Sequence, residues 1–71
     1  MSDFSEGDTV KWTWGSGSAK GEIVMRYTRK TTLKIKGNEV TRNASEDEPA
    51  FRIRQEDGDE VLKSVTEIES A

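Results

Sequence analysis

The amino-acid sequence predicts an all-β fold, a small antiparallel barrel of five to six short strands that ends in a single helical or 3₁₀ turn. Apolar side chains recur at every second position in several short runs, which is the period of a strand with one buried face. Turn signals that contain glycine separate these runs. Because 71 residues suffice for one small core, we expect a single domain over residues 1–71, with its core within residues 4–68.

The first predicted strand begins after the turn signal Gly7-Asp8. Its apolar face is formed by alternate residues: Val10, Trp12 and Trp14. Residues 15–18, Gly-Ser-Gly-Ser, are interpreted as a flexible bend that interrupts the strand. Ahead of it, the polar residues 1–6 are expected to fray, except where Phe4 covers an open end of the barrel.

The second predicted strand runs from Ala19 to Thr28. Alternation assigns three side chains to its inner side: Ile23, Met25 and Tyr27. Gly21 lies inside this strand, and a glycine there indicates a bulge or the close approach of another backbone. Small barrels need such positions in order to close.

A hairpin is predicted next, from residues 33–36 to residues 39–42. Gly37-Asn38 lies between these runs and is a two-residue turn signal. This register sets Ile35 opposite Val40, an apolar pair, and Lys36 opposite Glu39, a pair of opposite charge.

A second hairpin follows the acidic loop 43–49. Its first strand, residues 50–55, directs Phe51 and Ile53 inward and the two intervening arginines outward. Asp57-Gly58 is interpreted as a two-residue turn that pairs Ile53 with Leu62. The capping-box spacing of Ser64 and Glu67 then predicts a helical or 3₁₀ turn that plugs the barrel.

Composition weighs against catalysis and metal binding. The chain has no cysteine and no histidine. Both are common zinc ligands, and histidine is also the commonest general base in catalysis. The acidic runs 46–48 and 56–60 lack the ligand spacing of a calcium loop. We predict no enzyme activity, no cofactor and no metal. The absence of an apolar run of roughly 20 residues and the acidic N-terminus predict a cytoplasmic protein without a membrane segment.

Charge is distributed unevenly along the chain. The net charge is −3, yet residues 20–42 carry +5 and residues 43–71 carry −6. A basic middle segment next to an acidic end is the strongest asymmetry in the chain. The acidic total nevertheless weighs against a nucleic-acid binder, which usually has a basic balance.

The strand pattern is typical of an SH3-like or Tudor-like barrel. Three segments together resemble the hypervirulence-associated Tudor-like domain family: GDTVKWTWGSGSAKGEIV, IKGNEVTRNAS and EPAFRIRQEDGDEVLKSVTEI. The resemblance covers roughly Phe4 to Ile68 and implies an SH3-like Tudor barrel. It supplies no catalytic or ligand-binding residue for these positions.

Three functions fit these features. The first is a small non-enzymatic module, favoured as a monomer, that binds a protein or peptide through its rim or through an unpaired strand edge. Its candidate binding residues are Trp14, Arg26, Tyr27, Arg29 and Lys30. The second is an RNA- or DNA-binding module that uses the basic surface of residues 26–42. It adds three candidate residues: Lys34, Lys36 and Arg42. The third is a structural or stress-related protein with no defined ligand.

Ordinary structural roles compete with these sites. An aromatic cage for a methylated cation needs three or four rings at one mouth, whereas Trp12 and Phe51 are expected in the core. Packing is therefore the favoured role of the aromatic residues, with Trp14 and Tyr27 partly exposed. The basic residues are interpreted first as a solvated outer face that pairs with Glu22, Glu39 and the acidic loops.

Overall fold

The computed structural model of the chain describes residues 4–71, and the predicted fraying of residues 1–3 lies outside this range. Seven strands and one 3₁₀ turn follow in order: β1 (Thr9–Trp14), β2 (Gly17–Tyr27), β3 (Thr31–Ile35), β4 (Asn38–Arg42), β5 (Ala50–Gln55), β6 (Glu60–Ser64), the 3₁₀ turn (Val65–Glu67) and β7 (Glu69–Ser70). Within these described residues there is no α-helix. The predicted all-β class is confirmed, with seven strands instead of five or six.

The strands form two antiparallel sheets. The larger has the order β6-β5-β2-β1-β7, and β3 and β4 form a separate hairpin that contacts β6. No backbone ladder joins the two sheets within residues 4–71, so hydrogen bonds do not close the barrel there. β2 is the central strand, since its first half pairs with β1 and its second half with β5.

One continuous core lies on the inner face of the larger sheet. It consists of Val10, Trp12, Ile23, Phe51, Ile53 and Ile68. Phe4 packs against this core, with its ring centroid 6.0 Å from that of Phe51 in an edge-to-face arrangement. The predicted covering role of Phe4 is therefore confirmed.

The predicted bend at residues 15–18 is wrong. The β1–β2 ladder continues to the pair Trp14 and Gly17, which leaves only Gly15-Ser16 as the turn. Gly15 has a φ of +48°, and glycine at the first central position is the pattern of a type II′ hairpin turn. Two glycines in four residues therefore make a tight hairpin, and β2 begins two residues earlier than predicted.

Two irregularities curve β2. A side chain at Gly21 would place its Cβ 2.5 Å from the carbonyl oxygen of Arg54, which confirms the predicted close approach. A β-bulge lies between Ile23 and Met25, where Val24 is the extra residue. The bulge shifts the alternation by one position. Met25, predicted to face inward, is therefore 41% exposed and pairs with Arg52.

The predicted register of the β3–β4 hairpin is wrong by two residues. The turn is Lys36-Gly37, and Leu33, not Ile35, lies opposite Val40. Lys36 and Gly37 have φ values of 51° and 81°, the positive pair that a type I′ turn requires. A shift of two keeps the same side chains on each face, so the predicted apolar face of the hairpin survives.

The β5–β6 register is wrong by one residue, which has larger consequences. Ile53 pairs with Val61, and Leu62 pairs with Arg52. The turn has three residues, 56–58, and ends at Gly58 with a φ of +90°. Asp57 accepts the backbone N–H of Asp59 at 2.9 Å, which favours this longer turn. Because a slip of one residue reverses the face, Leu62 lies on the opposite side of the sheet from Ile53.

The predicted C-terminal plug is confirmed as a 3₁₀ turn. The Glu67 carboxylate accepts the backbone N–H of Ser64 at 2.8 Å, as in a capping box. Ile68 is buried and Val65 packs on the core beside it. After the turn, β7 pairs with Val10 and Lys11 of β1, a strand that the sequence pattern did not predict.

Candidate functional site

Trp14 is the most exposed large apolar side chain among the described residues, at 59%. It lies at the end of β1, where the core face of the strand runs out into the β1–β2 turn. Its ring rests against Gly17, since a Cβ at that position would lie 3.2 Å from Cζ2 of the ring. The small residues of the turn therefore support an aromatic side chain that the core does not use.

The edge of β1 beside Trp14 is open. β2 pairs with all six residues of β1, whereas β7 pairs on the other side with Val10 and Lys11 alone. Residues 12–14 thus have no strand on that side within residues 4–71. The carbonyl oxygen of Thr9 accepts from Ala71 on the β7 side at 3.4 Å, so alternation directs the backbone groups of Thr13 to the open part of the edge.

A groove of about 210 Å³ runs beside this open edge. One wall is β1 and the other is the 3₁₀ turn with β7; the lining residues are Lys11, Trp12, Thr13, Thr66, Glu67, Ile68 and Glu69. Lys11 and Glu69 face each other across it, with Nζ and Oε1 3.8 Å apart. The open edge therefore adjoins a groove with a polar wall.

Tyr27 lies at the far end of β2 from Trp14. Trp14 pairs with Gly17, the first residue of the eleven-residue β2, and Tyr27 is the last. Tyr27 is half-buried and interacts with Arg52, whose pKa is raised first by a hydrogen bond to Glu60 and further by Tyr27. The structure therefore does not bring Trp14 and Tyr27 together in one rim, and the sequence-predicted partner-binding set divides into two surfaces.

The six predicted basic residues also divide into two groups. Lys36 Nζ lies 2.7 Å from Asp59 Oδ2, and Arg42 donates to Glu67 Oε1 at 2.9 Å. The pKa of Lys36 is raised, first by its hydrogen bond to Asp59. The other four make no ion pair within residues 4–71 and are exposed: Arg26, Arg29, Lys30 and Lys34.

The pairing predicted for the basic face is confirmed for an acidic loop, since Lys36 pairs with Asp59 of the run 56–60, but it is wrong for Glu22 and Glu39. Lys34 lies opposite Glu39 in the β3–β4 ladder without forming an ion pair, and Glu22 pairs with no lysine in the described part of the chain. The actual partners of Lys36 and Arg42 are more than twenty residues away along the chain. The acidic run 56–60 indicated a partner for Lys36, whereas nothing in the local charge pattern indicated Glu67 as the partner of Arg42.

A larger groove, of about 410 Å³, crosses β2 at Gly21, with Thr9 of β1 on one side and residues 54–56 on the other. Its charged side chains alternate in sign along the paired strands: Lys20, Glu22, Arg54 and Glu56. Residues 4–71 contain no group of three or more acidic side chains arranged to hold a metal ion and no buried charged side chain. They also include no helix long and apolar enough to span a membrane.

Comparison with known proteins gives one match. The family model described as "Hypervirulence associated proteins TUDOR domain" matches residues 7–68, as the resemblance in the sequence implied. No curated protein matches the chain. No solved structure matches it either.

Proposed function

The chain belongs to the TUDOR domain family of hypervirulence associated proteins, and on that premise we propose that it is a non-enzymatic interaction module that binds a protein partner beside Trp14. The observation that carries the proposal is an aromatic side chain, 59% exposed, at the end of an open strand edge. A cytoplasmic setting, predicted from the sequence, is part of the proposal.

Trp14 supplies the binding energy in this proposal. Tryptophan is among the residues that contribute most at protein interfaces, because it buries a large area at a small loss of side-chain entropy. In the free chain the ring contacts Gly17 and leaves the rest of its surface to solvent. A partner side chain that packs on this ring buries apolar area which folding alone leaves exposed.

The open edge of β1 determines how the partner segment is oriented. A partner segment in extended form pairs with the free backbone N–H and C=O of Thr13 and so adds a strand to the sheet. β7 occupies the same edge at Val10 and Lys11, so the added segment has room only toward the β1–β2 turn. The main chain fixes the position of the partner, and Trp14 selects a large apolar or aromatic side chain.

A selection of random peptides against the purified chain, followed by titration of a selected peptide, tests this site. We expect Trp14→Ala to weaken binding by about thirtyfold or more, the effect of losing a central interface tryptophan. Thr13→Pro removes the edge N–H and is expected to weaken the same peptide. Met25→Ala is the matched control, since among residues 4–71 Met25 is the other exposed large apolar residue and it lies away from this edge. Equal affinity of wild type and Trp14→Ala would refute the site.

A second candidate function, binding of single-stranded nucleic acid, is favoured by the four basic side chains that have no internal ion pair. If all four contact phosphates, the logarithm of affinity falls with the logarithm of salt concentration with a slope of about −3. Fluorescence anisotropy with mixed oligonucleotides at two salt concentrations measures this slope. Charge reversal at Arg29 and Lys30 is expected to abolish binding, whereas Lys36→Gln, at an internally paired position, is expected to preserve it. If micromolar protein does not change the anisotropy of the oligonucleotides, nucleic-acid binding is excluded as a function. A structural role without a ligand is supported only if neither the peptide titration nor the oligonucleotide titration detects binding.

A further inference from the structure

The β3–β4 hairpin is a separate body attached to the larger sheet. Its strands pair only with each other, and within residues 4–71 no backbone hydrogen bond joins residues 31–42 to the rest of the chain. It contacts β6, which is the edge strand of the larger sheet. The hairpin therefore covers an edge without adding to the ladder.

One ion pair holds each end of this hairpin. At the turn, Lys36 reaches Asp59 in the β5–β6 turn at 2.7 Å. At the open end, Arg42 donates to Glu67 of the 3₁₀ turn at 2.9 Å. All four side chains are partly exposed, so salt screens both pairs and each stabilises the attachment only weakly.

An apolar contact lies between these two ion pairs. Leu62 of β6 is only 2% exposed, yet it is not part of the main core and lies on the opposite face from Ile53. The hairpin contacts β6, and its apolar side chains are half-buried: Leu33, Ile35 and Val40. Apart from its ladder partner β5 and the 3₁₀ turn that follows it, β6 is contacted chiefly by this hairpin, so we infer that the hairpin covers Leu62.

We propose that the β3–β4 hairpin is a flap that detaches from β6 as a unit and uncovers Leu62 together with the unpaired edge of β6. Detachment breaks two exposed ion pairs and one apolar contact, but no backbone hydrogen bond of either sheet. The flap moves on its two connections, residues 28–30 and residues 43–49. It gates a second strand edge, at the opposite end of the sheet order from β1, and it does not depend on the Trp14 site.

Distance measurement between two spin labels tests the flap. The chain has no cysteine, so Ser18→Cys and Asn38→Cys place one label on β2 and one on β4 at exposed positions. The distance distribution is measured at about 0.01 M and about 1 M salt, between which the screening length falls from about 30 Å to about 3 Å. It is also measured with Asp59→Asn, which removes the ion pair with Lys36, and with Glu67→Gln, which removes the ion pair with Arg42 and also one with Lys63 of β6, outside the hairpin. Glu69→Gln is the control, because it removes an ion pair within the larger sheet.

The flap predicts a second population with a longer distance between the labels. The fraction of molecules in this population is expected to increase at high salt and in both ion-pair variants. For Glu67→Gln the detached fraction is expected to rise by about two- to fivefold, the effect of losing an exposed ion pair. Circular dichroism should show the larger sheet intact, and Glu69→Gln should keep the wild-type distribution. A single distance unchanged by salt and by both variants would overturn the proposal. Lengthening that occurs only when the whole chain unfolds would overturn it equally.

Discussion

Substitution of Gly21 by alanine tests the packing of β2 against β5, on which the position of every surface described above depends. The added Cβ would lie 2.5 Å from the Arg54 carbonyl oxygen, 2.7 Å from Cγ2 of Ile53 and 3.0 Å from the Arg54 carbonyl carbon. Two of these atoms are backbone and the third belongs to a fully buried side chain. None can move aside without separating β2 from β5.

The expected loss of stability follows from that geometry. Alanine normally gains about 0.4–1 kcal/mol over glycine in a permitted backbone conformation, and the backbone of Gly21 does not have positive φ. Overpacking in a close-packed interior costs about 1–3 kcal/mol, and a clash with backbone lies at the upper end. We expect a net loss of about 2–3 kcal/mol. A chain of this length has roughly 4–10 kcal/mol in total, from about 0.05–0.15 kcal/mol per residue.

Urea denaturation followed by circular dichroism measures this loss. Gly17→Ala is the matched control, because it lies in the same strand and also lacks positive φ. Its added Cβ would meet only the ring of Trp14, at 3.2 Å, and that ring is exposed and free to shift. We expect a change of less than about 1 kcal/mol there. If Gly21→Ala is as stable as wild type within about 0.5 kcal/mol, β2 and β5 do not approach as described.

Three further predictions concern the core, the Trp14 surface and the pH dependence. Phe51→Ala removes a fully buried ring and is expected to lower the free energy of unfolding in urea denaturation by about 3–5 kcal/mol. Trp14→Ala is expected to change stability by less than about 0.5 kcal/mol in the same assay, which separates any loss of binding from unfolding. Partial burial acts to raise the pKa of Glu67, but hydrogen bonds from Arg42 and Ser64 and the charges of Arg42 and Lys63 outweigh it and lower the pKa below its ordinary value of 4.5. Ionised Glu67 therefore stabilises the fold above pH 4.5, and this contribution is lost as pH falls through the lowered value. The stability difference between wild type and Glu67→Gln should shrink as a denaturation series is carried to lower pH, and a difference independent of pH would contradict this.

The sequence predicted the strands well because each strand depends on its own alternation. Phe51 and Ile53 alternate with two arginines, and both apolar side chains are fully buried. The same local information failed at Val24. A bulge changes no residue type, so nothing in the pattern separates a bulged strand from a regular one. Met25 therefore lies on the outer face of the sheet, although its alternation with Ile23 predicted the inner face.

Strand registers depended on information that the pattern does not contain. A glycine marks a turn but does not specify which of its neighbours shares the turn. At Gly37 the preceding Lys36 adopts positive φ, and this position lets its side chain reach Asp59. That partner lies in another turn, distant in the chain. The grouping of Trp14 and Tyr27 in one rim also had no basis in the local pattern, because Trp14 pairs with the first residue of β2 and Tyr27 is its last.

The three-residue turn that ends at Gly58 connects the register error with the flap. With a two-residue turn, Leu62 would join Ile53 in the main core and Val61 would take its place on the outer face of β6. The added residue turns Leu62 to the other face, where an apolar side chain needs a cover. It also sets Glu60 opposite Arg54 and brings its carboxylate within 2.6 Å of Arg52, so the new register gains an ion pair. One residue in the turn therefore decides that Leu62, and not the smaller Val61, is the apolar side chain on the face of β6 that the β3–β4 hairpin is proposed to cover.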